Sequence, residues 1–94
     1  MNSNIYMATI TAAVTEAVID LSELKNITIQ NLDGTDTIDI AWDQSMVTAT
    51  EKITLGATTG TFYKQEFGAA SRGGLLYYKG SANTPDFKVV GYRK

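Results

Sequence analysis

Residues 27–43 run ITIQNLDGTDTIDIAWD. Ile27 and Ile29 alternate with Thr28 and Gln30, and Ile38, Ile40 and Trp42 alternate with Asp39, Ala41 and Asp43. A side-chain period of two, with β-branched residues at the apolar positions, predicts two strands that each bury one face. Between them stands Asn31-Leu32-Asp33-Gly34-Thr35-Asp36, where Asp-Gly supplies the positive φ that a hairpin turn needs. The stretch predicts a β-hairpin and sets an all-β expectation for its surroundings.

Working outward, the chain keeps the same grammar. Thr occurs thirteen times and Ile and Val together thirteen times, a β-branched load suited to half-buried pleated surfaces. Further strands are predicted at 53–55, at 61–67 after the loop 56–60, at 74–79 after Arg72-Gly73, and at 86–92 after a loop holding Pro85. Residues 11–24 fit two periods. Ile10, Val14, Ala17, Leu21 and Leu24 recur at helical spacing, while Ala17, Ile19 and Leu21 share one face of a strand. Their Thr-rich flanks favour the strand. The expected architecture is a small antiparallel β-sandwich or barrel, one domain over 1–94. Residues 1–10, with Ile5, Tyr6 and Met7, are expected as an extended arm or as cover for an apolar face.

Composition excludes several kinds of chemistry. The chain has 94 residues, enough for a single core. It has no cysteine and no histidine, which removes disulfides, thiolate sites, the commonest general base and the commonest metal ligand. The first basic residue is Lys25, too late for the n-region of a secretory signal, and no apolar run is long enough to span a bilayer. Synthesis in the cytoplasm, with retention there or release by a route that needs no signal, is therefore expected, without membrane association. Asn26-Ile27-Thr28 matches a glycosylation sequon but reads as strand sequence.

The acidic residues point to structure before chemistry. Asp33, Asp36 and Asp39 are three apart, whereas a calcium loop needs alternate acids, a glycine and a distal Glu. Asp33 and Asp36 suit turn formation, and Asp39 and Asp43 suit the wet face of a strand, so no metal or other cofactor is expected. A nucleophile here would depend on a lysine or carboxylate base, and no spacing singles out Glu51, Glu66 or an aspartate pair for glycosidase work. A non-enzyme is expected, with no catalytic residue.

Charge and patterning suggest contact with other proteins. Residues 1–51 hold eight acids and one base, and residues 52–94 hold seven bases and two acids, so the halves carry −7 and +5. Either the halves interleave and cancel, or they form opposite surfaces that steer assembly. Net acidity opposes nucleic-acid binding by the basic half with Tyr77, Tyr78 and Tyr92 as stacking groups. Leu75-Leu76-Tyr77-Tyr78 breaks alternation with four apolar residues in a row, and Phe87, Val89, Val90 and Tyr92 do so again. An antiparallel strand with two apolar faces needs cover for the second. Tyr6, Leu76, Tyr78, Val90, Tyr92 and Arg93 are the candidate interface residues, with a second copy of the chain as one partner.

The order VIDLSELKNITIQNLDGTDTIDIAWD, then LLYYKGS, then FKVVGY, spanning residues 17–92, resembles small β-sandwich virion proteins of tailed bacteriophages. The resemblance implies a homo-oligomeric structural component of the virion that meets other virion proteins, such as a major capsid protein, and carries no catalytic residues. Capsid decoration is the role it favours, with a tail or neck component as the rival. From another class, a carbohydrate-binding or host-surface module would stack sugars on Trp42, Tyr63 or Tyr78. Alternation groups Trp42 with Ile38 and Ile40 on the core side.

Overall fold

The computed structural model describes residues 4–46, 48, 52–57, 74–82 and 85–93, and the backbone of 63–66. Every regular element among them is a strand: β1 Ile5–Thr11, β2 Ala17–Asp20, β3 Leu24–Asn31, β4 Ile38–Trp42, β5 Ile53–Leu55, β6 Tyr63–Glu66, β7 Leu75–Gly80 and β8 Asp86–Arg93. They form two antiparallel four-stranded sheets, in the orders β1-β8-β3-β6 and β2-β7-β4-β5. Successive strands change sheet at every step except β4 to β5. Two packed sheets with that order are a jelly roll.

The expected hairpin is overturned. β3 and β4 lie in different sheets and do not pair; the chain crosses the sandwich through residues 32–37. Alternation states which side of a strand is buried, and that side is equally buried whether two strands share a sheet or face each other across a core. Ile27 and Ile29 from β3 meet the same core as Ile38 and Ile40 from β4, and all four are almost fully buried. The crossing is fastened by a polar residue in core phase. Asn31, fully buried, follows Ile27 and Ile29 on the inner face. Its amide donates to the carbonyls of Asp36 (3.0 Å), Leu55 (3.3 Å) and Gly56 (3.3 Å), and its Oδ1 accepts the Asp33 N–H at 2.8 Å. One side chain thus ties sheet to sheet while satisfying backbone groups that the crossing would leave bare.

Other expectations over the chain are answered strand by strand. Residues 17–20 are strand, and no helix occurs among the described residues. Val18 is exposed and Ile19 faces inward, because β2 is a sheet edge with one wet face. The expected arm is, from Ile5 onward, a strand paired along its length with β8. The predicted 61–67 strand is seen as Tyr63–Glu66, and residues 61, 62 and 67 lie outside the described residues. The two halves of the chain interleave: β8 lies between β1 and β3, and β7 between β2 and β4, so each sheet mixes strands from both halves.

Leu21, Leu24, Ile27, Ile29, Ile38, Ile40, Leu55, Leu76, Phe87 and Val89 fill the space between the sheets. Burying each such side chain contributes about 1.5 to 3 kcal/mol. Tyr78 adds an edge-to-face contact with Phe87 at 5.1 Å between ring centroids. Where strands hand over between sheets, backbone bonds tie one crossing to the next: Ala12 N–H to Pro85 O, Gly80 N–H to Ala13 O, Leu32 N–H to Asp86 O and Ser81 N–H to Thr37 O. Asn26 stands in the left-handed region (φ 53°) where β3 shifts register against β8, a bulge that keeps both Leu24 and Ile27 inward.

Candidate assembly surfaces

Pairing register and burial assign the described side chains of the strands to the core or to one of two outer faces. On the first sheet Ile5 lies opposite Tyr92 and Met7 opposite Val90, and all four point outward. Ile5 and Tyr92 are 45% exposed and Met7 is 62% exposed, so together they make a solvent-facing apolar patch on β1 and β8. Lys25 lies opposite Tyr92 on the far side of β8, and Lys88 lies opposite Thr9 and Gln30. Asp86 stands at the distant end of this face, where its carboxylate accepts the Thr11 hydroxyl at 2.6 Å.

The second sheet presents a matching patch on its own outer face. Val18 pairs with Tyr77 and Asp20 with Leu75. Val18 is 50% and Leu75 41% exposed, Tyr77 is half-buried, and Ala41 is buried opposite Tyr77. Two carboxylates flank Leu75. Asp20 sits opposite it, and Asp43 accepts the Leu75 N–H through Oδ1 at 2.9 Å while its own N–H donates to Leu75 O at 2.7 Å. Asp43 holds φ at 58°, a left-handed conformation that Asp tolerates better than most residues. Gly74 leaves the space its carboxylate needs, since a Cβ there would stand 2.6 Å from Asp43 Oδ1. Farther along the face, Asp39 pairs with Lys52 at 3.5 Å, accepts the Thr54 hydroxyl at 2.8 Å and lies opposite Lys79.

The predicted interface residues therefore separate. Val90 and Tyr92 lie on the outer face of the first sheet. Leu76 is a correction: it is fully buried in the core. Tyr78 is a second one, because it packs inward against Phe87. Tyr6 also turns inward, against the core, with the Arg93 guanidinium 5.8 Å from its ring centre. Arg93 further donates through Nη1 to Ile5 O at 3.2 Å, so it fastens the β1 end. On β7 the free residues are Leu75 and Tyr77, one position out of phase with those expected. Lys79 carries the signal that marks the wet side, since it shares their phase. Met7 and Val18 were outside the predicted set.

Asp33 acts as a turn ligand for backbone, while the Asp36 carboxylate accepts the Ser81 hydroxyl at 3.4 Å. Asp33 accepts N–H bonds from Asp36 and from Thr35 (2.9 Å), and these hold its carboxyl below the usual carboxylate value. Bonds from the Ser22 hydroxyl and N–H likewise lower Asp20. Among the described residues no three acidic groups gather as a metal site. Tyr77 and Tyr92 lie on opposite outer faces and Tyr78 lies between the sheets, so the three tyrosines form no common stacking platform. Trp42 packs against the core. Glu51 lies outside the described residues, as do the side chains of Tyr63 and Glu66. No helix among the described residues is long and apolar enough to cross a membrane.

No protein-family model matches the chain, and no curated protein matches it. A solved structure described as "Bacillus endospore appendages form a novel family of disulfide-linked pili" is similar, with a TM-score of 0.40 and 17% identity. That alignment covers 100% of this chain and 93% of the other. A likeness of that size assigns neither family nor function.

Proposed function

We propose that this chain is a non-catalytic structural protein of a bacteriophage virion, working through contacts with other protein chains, and that capsid decoration is its role. The observation that carries the reading is the pair of outward apolar patches, exposed Ile5, Met7 and Tyr92 with half-buried Val90 on one outer face, and exposed Val18 and Leu75 with half-buried Tyr77 on the other. Isolated apolar side chains on a surface need no explanation, but contiguous ones with charged rims are a feature of contact surfaces. The jelly roll is compatible with this role, since it recurs in viral capsid domains; it recurs in lectins and cupins too, so the fold alone does not choose. The resemblance of ITIQNL, TIDIAW and LLYYKGS to tailed-phage β-sandwich proteins tips the choice toward the virion. A sugar-stacking module finds less support, because Trp42 and Tyr78 both pack against the core.

Mass spectrometry of purified phage particles tests the proposal. A decoration protein is present at a copy number comparable to that of the capsid subunits, whereas a tail or neck component is present in a few copies. Absence from intact particles overturns the virion reading.

A further inference from the structure

We infer that the two outer faces are the two halves of one head-to-tail contact, so that the partner of each patch is a second copy of this chain. The inference rests on the reading of the chain as a contact-forming structural protein and names its first partner. The apolar parts match in kind, and the charges around them are opposite in sign. Around Tyr92 and Val90 stand Lys25 and Lys88, while Leu75 sits between the carboxylates of Asp20 and Asp43. Among the described side chains of each outer face, Lys25 and Lys88 outnumber Asp86, and Asp20, Asp39 and Asp43 outnumber Lys52 and Lys79. The difference is greatest at the end of the sandwich where both patches lie, since Asp86 and the Asp39–Lys52 pair are at the other end.

Sign decides between the ways two copies can stack. First sheet on first sheet brings the lysines together, and second on second brings Asp20 and Asp43 toward their own copies. First on second covers both apolar patches and sets lysine against carboxylate. Like charges forced together in a contact cost affinity, and unlike charges set register and speed association. The preferred contact is therefore heterologous. Because its halves lie on opposite faces of one domain, a bound copy still offers one free face, and addition continues until a ring closes or a filament grows. With sheets roughly 10 Å apart, each added chain advances the stack by about 20 Å.

Two variants test this together. Met7→Glu disables the first face and Leu75→Glu the second, both at exposed positions where the fold tolerates a charge. Ile5→Glu and Val18→Glu replace either one that fails to give a wild-type thermal melt. Mass in solution, followed by light scattering at low salt over rising concentration, gives the readout. The wild type should grow past two chains, each variant alone should stay a single chain, and an equimolar mixture should stop at two. Raising salt from about 0.05 M to about 0.5 M should weaken wild-type association by about tenfold. A wild type that remains a single chain overturns the inference, as does either variant dimerising alone, association untouched by one of the variants, or a mixture that stays monomeric. The failures are separable. A chain found in virions yet monomeric in solution sinks the head-to-tail contact and spares the proposed function. A chain that stacks yet is missing from virions does the reverse.

Discussion

The crossing at residues 31–37 and the ridge formed by Leu75 and Tyr77 reverse the usual placement of polar and apolar groups. In the crossing a polar side chain, Asn31, is fully buried and spends its hydrogen bonds on Asp36, Leu55, Gly56 and Asp33. On the ridge an apolar side chain, Leu75, stays in water between two carboxylates. A buried amide with directed bonds fixes one arrangement, because any other leaves donors and acceptors unsatisfied. An exposed leucine contributes little to the isolated fold and is free to be covered from outside. Residues that specify the fold and residues available for contact are thus different sets, and substitutions can separate them.

The largest effect is expected where the core itself is charged. Ile38→Asp places a carboxylate at a fully buried position and should cost more than about 4 kcal/mol, leaving no cooperative unfolding transition in urea. Asn31→Ala comes next, at about 2 to 3 kcal/mol, because it strands the Leu55 carbonyl in the interior and unties the half-buried Gly56 carbonyl. A urea midpoint equal to wild type would break the comparison by showing that the crossing does not depend on its amide. Asp43→Ala should cost about 1 to 2 kcal/mol, losing the bond to the Leu75 N–H and leaving Ala in a left-handed conformation. Asp43→Gly keeps that conformation accessible and should recover part of the loss.

Acid should loosen the crossing. The folded-state pKa of Asp33 lies below its ordinary 3.8 because the Asp36 and Thr35 N–H groups stabilise the charged form. A depressed carboxylate contributes stability that is present above the unfolded value and lost as pH falls from there through the folded value. Unfolding midpoints should drop across that acid window, and Asp33→Asn should flatten the drop. The smallest effect belongs to the ridge and its counterpart. Leu75→Ser and Met7→Ser should shift stability by no more than about 0.5 kcal/mol while weakening self-association.

The strands and their buried sides were legible in the alternation of Ile27 with Ile29 and of Ile38 with Ile40. Their partners were not, because a period of two encodes a face and carries no information on which sheet the strand joins. Asn31 held a clue: a polar residue in the apolar phase, after Ile27 and Ile29, marks a site where the interior needs hydrogen bonds. In Leu75-Leu76-Tyr77-Tyr78 both phases are apolar, so the choice of inner phase rested on Lys79, one residue beyond the run. The division of charge between the halves of the chain was visible, but its meaning depended on topology. The jelly roll interleaves the halves strand by strand, and among the described side chains the polarity that survives sets Lys25 and Lys88 on one face against Asp20 and Asp43 on the other.

Arg93 N–H donates to Asn4 O at 2.7 Å, so the first and last described residues of the paired strands lie side by side. A pull that separates them acts across the β1–β8 ladder and breaks its bonds one pair at a time from that end, as a zipper opens. Shear along a ladder must break many bonds together and resists far greater force. Tension applied through Asn4 and Arg93 would therefore peel β1 away at low force, whereas compression across the two sheets meets a close-packed interior. A shell or tube built from this domain would hold against internal pressure only if its neighbours press on the faces and never tug on the ends.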